Sequence, residues 1–301
     1  MSAVLERIVP VILVFICGFF FKRTGVLTKK DGDSLLKVFF YVSVPALIFR
    51  SVAQMTFSLE LLWLPVIAVL VILATFVVSL CCARLLNLDK PSLGVFLVGS
   101  LIMNSSFTYP FLIAARGEES LAQASLFDFG NTALVFTFIY YLACKYGGGS
   151  NELPAMARKF VCSPPLVALV VGLFLNLNHI PLPTIAAQFF KILGYMTMPL
   201  VMLSLGIYFT PAVCEMRPML AAVLIRMGGG LLLGLLCAHL FGLKGLSRAV
   251  VLIISSAPSG ITTLVFSSME ELDNELAASI VSYSVLAGMF VVPLVLHFTA
   301  T

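Results

Sequence analysis

Charge is what this sequence has least of. Asp, Glu, Lys and Arg make up 11% of its 301 residues while 60% are hydrophobic, and a soluble domain carries roughly 25% charged residues. Water is therefore not its main solvent. Histidine is also scarce: His179, His239 and His297 lie in a loop and near span ends and form no ligand cluster, so no metal site is expected. The seven cysteines (Cys17, Cys81, Cys82, Cys144, Cys162, Cys214, Cys237) show neither metal-ligand spacing nor paired-loop placement. They read as small apolar packing residues. His-Glu-x-x-His is missing, no Ser–His–Asp set or carboxylate pair can be placed inside a membrane, and there is no Gly-rich phosphate loop. An enzyme is not expected, and no stretch is polar enough to be a soluble nucleotide-binding or signalling domain.

What the sequence has in quantity is long apolar runs. About 20 apolar residues cross a bilayer as helix, and ten candidates follow one another at 4–21, 35–54, 61–84, 92–115, 120–146, 163–178, 184–208, 218–242, 247–268 and 275–298. Continuous runs rather than alternating ten-residue segments exclude a spanning barrel. The expected fold is an all-α polytopic membrane protein of ten transmembrane helices. The first run lacks a small-residue cleavage site and reads as a retained span rather than a signal peptide. When loops are assigned alternately to two faces, one face collects eleven Lys and Arg and the other six, with Arg226 inside a span. Basic loops favour the cytoplasm, so both termini are expected outside it, in a multi-pass protein of the plasma (bacterial inner) membrane. The net charge of +4 is spread over several loops, which gives no nucleic-acid patch.

The chain also repeats itself. Lys37 and Tyr41-Val42-Ser43-Val44-Pro45 recur 154 residues later as Lys191 and Tyr195-Met196-Thr197-Met198-Pro199, and the same offset carries Pro10 onto Pro164 and Gly18 onto Gly172. Five spans per copy is an odd number, so the second copy must run inverted. The expected organisation is a first five-helix repeat at 1–146, a linker at 147–160 rich in turn formers from Gly147 to Pro154, and a second repeat at 161–301. Inverted repeats are a common architecture of secondary transporters, with the substrate site near the midplane where the copies meet.

Two spans carry polar residues and proline in mid-membrane, and they are the fourth of each set. One contains Asn104-Ser105-Ser106-Phe107-Thr108-Tyr109-Pro110; the other contains Ser255-Ser256-Ala257-Pro258-Ser259-Gly260. Proline removes a backbone donor and clashes with the preceding turn, and bare backbone survives in hydrocarbon only inside protein or beside water. A proline kink without function is the simpler alternative for either segment. The functional reading is that both helices unwind and cross near the midplane, aiming half-helix N-termini at an anion. Asn104, Ser105, Ser106, Pro110, Ser255, Ser256, Pro258 and Ser259 are then the candidate substrate residues.

Ionisable residues at a helix centre cost roughly 2.5–3.5 kcal/mol on insertion scales, so Asp128 and Arg226 need partners. Ser125, Asp128 and Asn131 form a stripe on one helix face, a candidate site for a coupling sodium ion or proton; a structural hydrogen-bonded Asp is the alternative. Arg226 lies about 12 Å along its helix from Pro218 and is a candidate substrate contact, with pairing to a carboxylate or snorkelling to the headgroups as alternatives. Gly228-Gly229-Gly230 reads as a close-packing segment. The acidic run Glu270-Glu271-Leu272-Asp273-Asn274-Glu275 reads as a solvated loop.

In this order Val44-Pro45-Ala46-Leu47-Ile48-Phe49, Asn104 to Pro110, Gly117-Glu118-Glu119, Met202-Leu203-Ser204-Leu205-Gly206, Arg226 and Ala257-Pro258-Ser259 resemble the auxin efflux carrier family nearly end to end. The resemblance implies a bile-acid-symporter-like fold of two inverted five-helix repeats, with broken fourth and ninth helices crossing at Pro110 and Pro258. It also implies elevator-like alternating access, with spans 3–5 and 8–10 moving against a scaffold of spans 1, 2, 6 and 7, and a homodimer formed through that scaffold. The implied substrate is a small organic anion, a dicarboxylate or auxin-like acid. Thr108-Tyr109 stands where the family usually has glycine, and the large loop of the plant carriers is missing. Rival readings are a sodium-coupled carrier of the bile-acid symporter type and a membrane sensor that binds without transporting.

Overall fold

The computed structural model describes residues 2–56, 58–148, 163–209 and 215–299. Most of the expected linker, Cys162 and Cys214 lie outside the described residues. Among the described residues the secondary structure is helical, and the one exception is an isolated antiparallel bridge between Met103 and Ser259. The helical runs are α1 (Ser2–Arg23), α2 (Lys29–Gln54), α3 (Glu60–Leu86), α4 (Lys90–Leu101), α5 (Ser105–Arg116) and α6 (Glu119–Tyr146). They continue as α7 (Pro164–Leu177), α8 (Thr184–Tyr208), α9 (Met216–Leu240), α10 (Gly245–Ser255), α11 (Thr262–Met269) and α12 (Asn274–Phe298). Six of them, α2, α3, α6, α8, α9 and α12, are long and apolar enough to cross a membrane; α4, α7 and α10 are apolar but shorter.

Local sequence explains three of the helix starts. Asp89 accepts a hydrogen bond from the Ser92 amide at 3.1 Å and Pro91 follows in the first turn of α4, the usual N-terminal arrangement. Asp273 likewise takes the amides of Glu275 and Leu276 at 3.1 and 3.0 Å to start α12, and the Asp31 carboxylate takes the Thr28 amide at 2.7 Å to start α2. Each of α2, α6 and α9 contains a π turn, at Phe39–Ser43, Val135–Ile139 and Leu224–Gly229. Such a turn inserts one residue and re-aims the side chains after it.

By its internal contacts the chain forms two compact units, each built from separate segments. The first comprises residues 1–62, 106–126 and 161–209, the second 63–105, 127–160 and 210–301. Residues 106–126, expected to travel with the moving bundle, group with the first unit.

In the first unit α1 packs on the second half of α8, and α7 packs on the second half of α2. These two pairings exchange under the 154-residue shift. So do their contacts: Lys22 Nζ donates to the Phe209 carbonyl at 2.8 Å and Asn176 Nδ2 to the Met55 carbonyl at 2.7 Å. Gly18 faces the Leu203 backbone and Gly172 faces that of Phe49. Ser43 and Thr197, counterparts 154 residues apart, meet hydroxyl to hydroxyl at 2.7 Å. Between apolar helices in lipid, association rests on close packing rather than on a hydrophobic force. That is why glycines lie at these contacts.

In the second unit α4 is buried from Gly94 to Leu101, surrounded by α3 from Trp63, the first turns of α9, the end of α6, and α12. The second half of α9 packs on α10. Gly130 lets α6 approach α3 so closely that a Cβ there would lie 2.3 Å from the Pro65 carbonyl oxygen. Large apolar side chains remain exposed along several helices, Val77, Phe174 and Leu232 among them. Where lipid is the solvent such exposure carries no penalty.

Candidate functional site

Both polar segments interrupt their helices. α4 ends at Leu101 and α5 begins at Ser105; α10 ends at Ser255 and α11 begins at Thr262. The two intervening stretches pair with each other. The Asn104 amide donates to the Pro258 carbonyl at 2.9 Å and the Gly260 amide to the Ile102 carbonyl at 3.2 Å, which makes the Met103–Ser259 bridge. Backbone groups released from two helices thus satisfy one another, as burial without water requires.

Side chains from the next helix on complete each break. Asn131 of α6 donates from Nδ2 to the Met103 carbonyl at 3.2 Å and accepts from the Met103 amide at 3.5 Å. Ser284 of α12 accepts from the Ser259 amide at 3.0 Å, and the Ser259 hydroxyl lies 3.1 Å from that of Thr263. Ser256 donates back to the Ile253 carbonyl at 2.9 Å. Asn104, Ser105, Ser255, Ser256 and Ser259 are all buried.

The location of the first crossing differs from expectation. The chain leaves the helix at Ile102–Asn104, and Pro110 lies inside α5 rather than at the break. Asn104 holds the position before the first helical residue, where Asn is favoured, and the extended stretch is fixed by its partner strand. Pro258, by contrast, is in the break itself. Ser106 and Pro110 fall in the first unit.

Asp128 is drawn into the crossing. Its carboxylate accepts from the Ser105 hydroxyl, from Asn131 Nδ2 at 2.8 Å and from the Thr132 hydroxyl at 3.3 Å. Donors from α5 and α6 together hold the carboxyl group in place. They also set it beside the N-terminus of α5, whose partial charge is positive. Thr132 lies one helical turn after Asp128, a spacing that signals contact from sequence alone. Ser125 does otherwise than expected: its hydroxyl donates to the Leu121 carbonyl of its own helix at 2.6 Å.

Arg226 is fully buried and does not snorkel. Its Nη1 donates to the carbonyls of Ser100 and Leu101 at 3.3 and 3.1 Å, and its Nη2 donates to the Ser255 carbonyl at 2.8 Å. Of the three glycines after it, Gly228 and Gly229 have open surroundings, whereas a Cβ on Gly230 would lie 2.2 Å from the Ser255 oxygen and 2.4 Å from Arg226 Nη2. The close-packing role therefore belongs to Gly230.

Glu270 corrects the expectation of a wholly solvated acidic loop. It is 1% exposed, one residue past α11, and Oε1 accepts from the Tyr140 hydroxyl at 2.6 Å while Oε2 has no hydrogen-bond partner. Its carbonyl also receives the Gly148 amide at 3.0 Å. The adjacent Glu271 is exposed. Tyr140→Phe is expected to lower stability by about 1–3 kcal/mol, because it strips the partner from a buried acceptor. Thermal melting of the purified protein would read this, and a variant as stable as the parent would show that the bond is not worth making.

Comparison with known proteins identifies the family. A family model described as "Membrane transport protein" matches residues 3–296. The chain belongs to that family, the auxin efflux carrier family. An uncharacterized transporter of Methanocaldococcus jannaschii is 26% identical over 300 residues, covering 96% of this chain and 97% of the relative. Another, from Methanothermobacter thermautotrophicus, is 29% identical over 299 residues, covering 96% of each chain. This family member is a membrane transporter and not an enzyme.

Proposed function

We propose that this family member is a secondary carrier of a small organic anion, a dicarboxylate or an auxin-like acid, bound at the paired breaks and moved by elevator-like alternating access. The observation that carries the reading is the mutual pairing of Ile102–Asn104 with Pro258–Gly260. It brings two helix C-termini and two helix N-termini to one place, and helix N-termini attract carboxylates. Asn104, Ser105, Ser256 and Ser259 border the crossing, and Ser255 and Pro258 shape the end of α10 and the break after it.

Taking α4 with α5 and α10 with α11 as one broken span each gives ten crossings. The contacts that exchange under the 154-residue shift support two inverted copies, since a residue touches its own counterpart only near an axis relating the copies. On this reading both termini lie outside the cytoplasm, α1, α2, α7 and α8 form the scaffold and dimer surface, and Asp128 with Asn131 couples transport to an ion. The oxygens of Asp128, Ser105 and Thr132 suit sodium, which keeps a sodium-coupled variant of the same carrier open beside proton coupling.

Flux of labelled mono- and dicarboxylates into vesicles containing the purified protein, with and without sodium and across pH gradients, tests this. Asn104→Ala is expected to cut uptake by about tenfold or more, and Asp128→Asn to remove dependence on the coupling ion. Undiminished uptake by Asn104→Ala would reject the crossover as the site, and ion dependence surviving Asp128→Asn would reject coupling there.

A further inference from the structure

The Arg226 side chain reaches the ends of both broken helices. A helix leaves its last carbonyls without amide partners, and a chain that breaks in mid-membrane leaves them far from water. Here Ser100 and Leu101 at the end of α4, and Ser255 at the end of α10, give their carbonyls to a single guanidinium. The electrostatics match as well as the hydrogen bonds. Each helix C-terminus carries about −0.5 elementary charge, so two converging ends offset one buried cation. This accounts for a fully buried arginine whose terminal nitrogens are spent on carbonyls rather than on a carboxylate.

The surrounding helix is shaped for that arrangement. The π turn at Leu224–Gly229 contains Arg226. Four residues on, the side chain lies over Gly230, where a Cβ would collide with both Nη2 and the Ser255 oxygen; one turn further, a Cβ on Gly234 would lie 2.7 Å from the Ser255 Cβ and Oγ. Residues 226, 230 and 234 occupy one helix face, and that face is cut away to admit the end of α10.

We infer that Arg226 is a positioning residue that ties the C-termini of α4 and α10 together and so sets the register of the crossing strands, rather than a group that touches substrate. The inference deepens the crossover reading and rests on it for its bearing on transport. Its structural claim stands apart from any substrate. A planar fork with several donors can serve two helix ends at once, which an ammonium does poorly.

Hydrogen exchange of the full-length, substrate-free protein in detergent tests it, comparing the parent with Arg226→Met, Arg226→Lys and Gly230→Ala. Arg226→Met is expected to speed exchange of the Asn104 and Gly260 amides by about tenfold or more, with α1 and α8 unchanged. Arg226→Lys should recover part of that protection by restoring charge, which a merely space-filling role would not require. Gly230→Ala keeps the arginine but displaces its guanidinium, and should loosen the same amides; it carries the test alone should Arg226→Met fail to fold. Parent-like exchange at Asn104 and Gly260 in Arg226→Met, or in Gly230→Ala if that variant stands alone, overturns the inference. So does protection in Arg226→Lys no better than in Arg226→Met. Failure of the carrier reading would appear elsewhere, as absence of flux of every carboxylate by the parent protein.

Discussion

Gly206→Ala is expected to lower the thermal midpoint of the purified protein by roughly 6–12 °C, from a loss of about 3 kcal/mol at the few degrees per kcal/mol typical of larger domains. A Cβ there would lie 2.1 Å from the Phe15 carbonyl oxygen and 2.8 Å from the Phe19 amide nitrogen. Both are backbone atoms of α1, so no side chain can rotate out of the way and the two helices must separate. Separation would strain the neighbouring bond from Lys22 to the Phe209 carbonyl and loosen the Phe209 ring from those of Phe15 and Phe19, now 5.7 and 5.6 Å away between centroids. Gly228→Ala is the control: nothing lies within 4 Å of a Cβ at that position, and a midpoint within about a degree or two of the parent is expected. A Gly206 variant as stable as the Gly228 variant would mean that α1 and α8 have room to spare.

Asn131→Leu should abolish transport while leaving most of the fold intact. Asn131 is the only side chain among the described residues with bonds to both polar groups of the Met103 backbone, and it also donates to Asp128. Leucine has similar volume and none of these functions. The substitution strands a buried amide and a buried carbonyl, at about 1–3 kcal/mol for each group left unmade, and removes one donor from a carboxylate next to the crossing. The expected result is a drop in vesicle uptake of at least about a hundredfold, equivalent to some 2.7 kcal/mol, with a smaller change in melting. Uptake at the parent rate would show that the first break holds its shape without α6.

How far the sequence anticipated this structure depends on which residues are asked about. Apolar run length located the helices closely: 184–208 was expected and Thr184–Tyr208 is found, because twenty apolar residues have few other fates in lipid. The presence of two breaks was legible from Asn104–Pro110 and Ser255–Gly260, since polar runs and proline weaken the helix locally. The place of the first break was not. Proline's effect is local, whereas the break at Ile102–Asn104 is held by a strand more than 150 residues away. Arg226 and Glu270 show the same limit from the other side. An ionisable residue in an apolar run announces that it has a partner, but backbone carbonyls carry no signature in a sequence, and neither does a tyrosine hydroxyl 130 positions distant. Thr132 was within reach, one turn from Asp128, and so in part was Gly230, already in a segment read as close-packing and one turn from Arg226.

The meeting of Ser43 with Thr197 sets a limit on how alike two copies of one segment can remain. A hydrogen bond has a direction. The single Ser43 hydroxyl proton is given to the Leu193 carbonyl at 2.9 Å, so the 2.7 Å contact between the hydroxyls requires Thr197 to donate and Ser43 to accept. The proton order therefore runs one way, from Thr197 through Ser43 to Leu193, across a place where the sequence offers two equivalent hydroxyls. Duplication supplied matching groups, and the chemistry of the contact obliged them to take unequal parts.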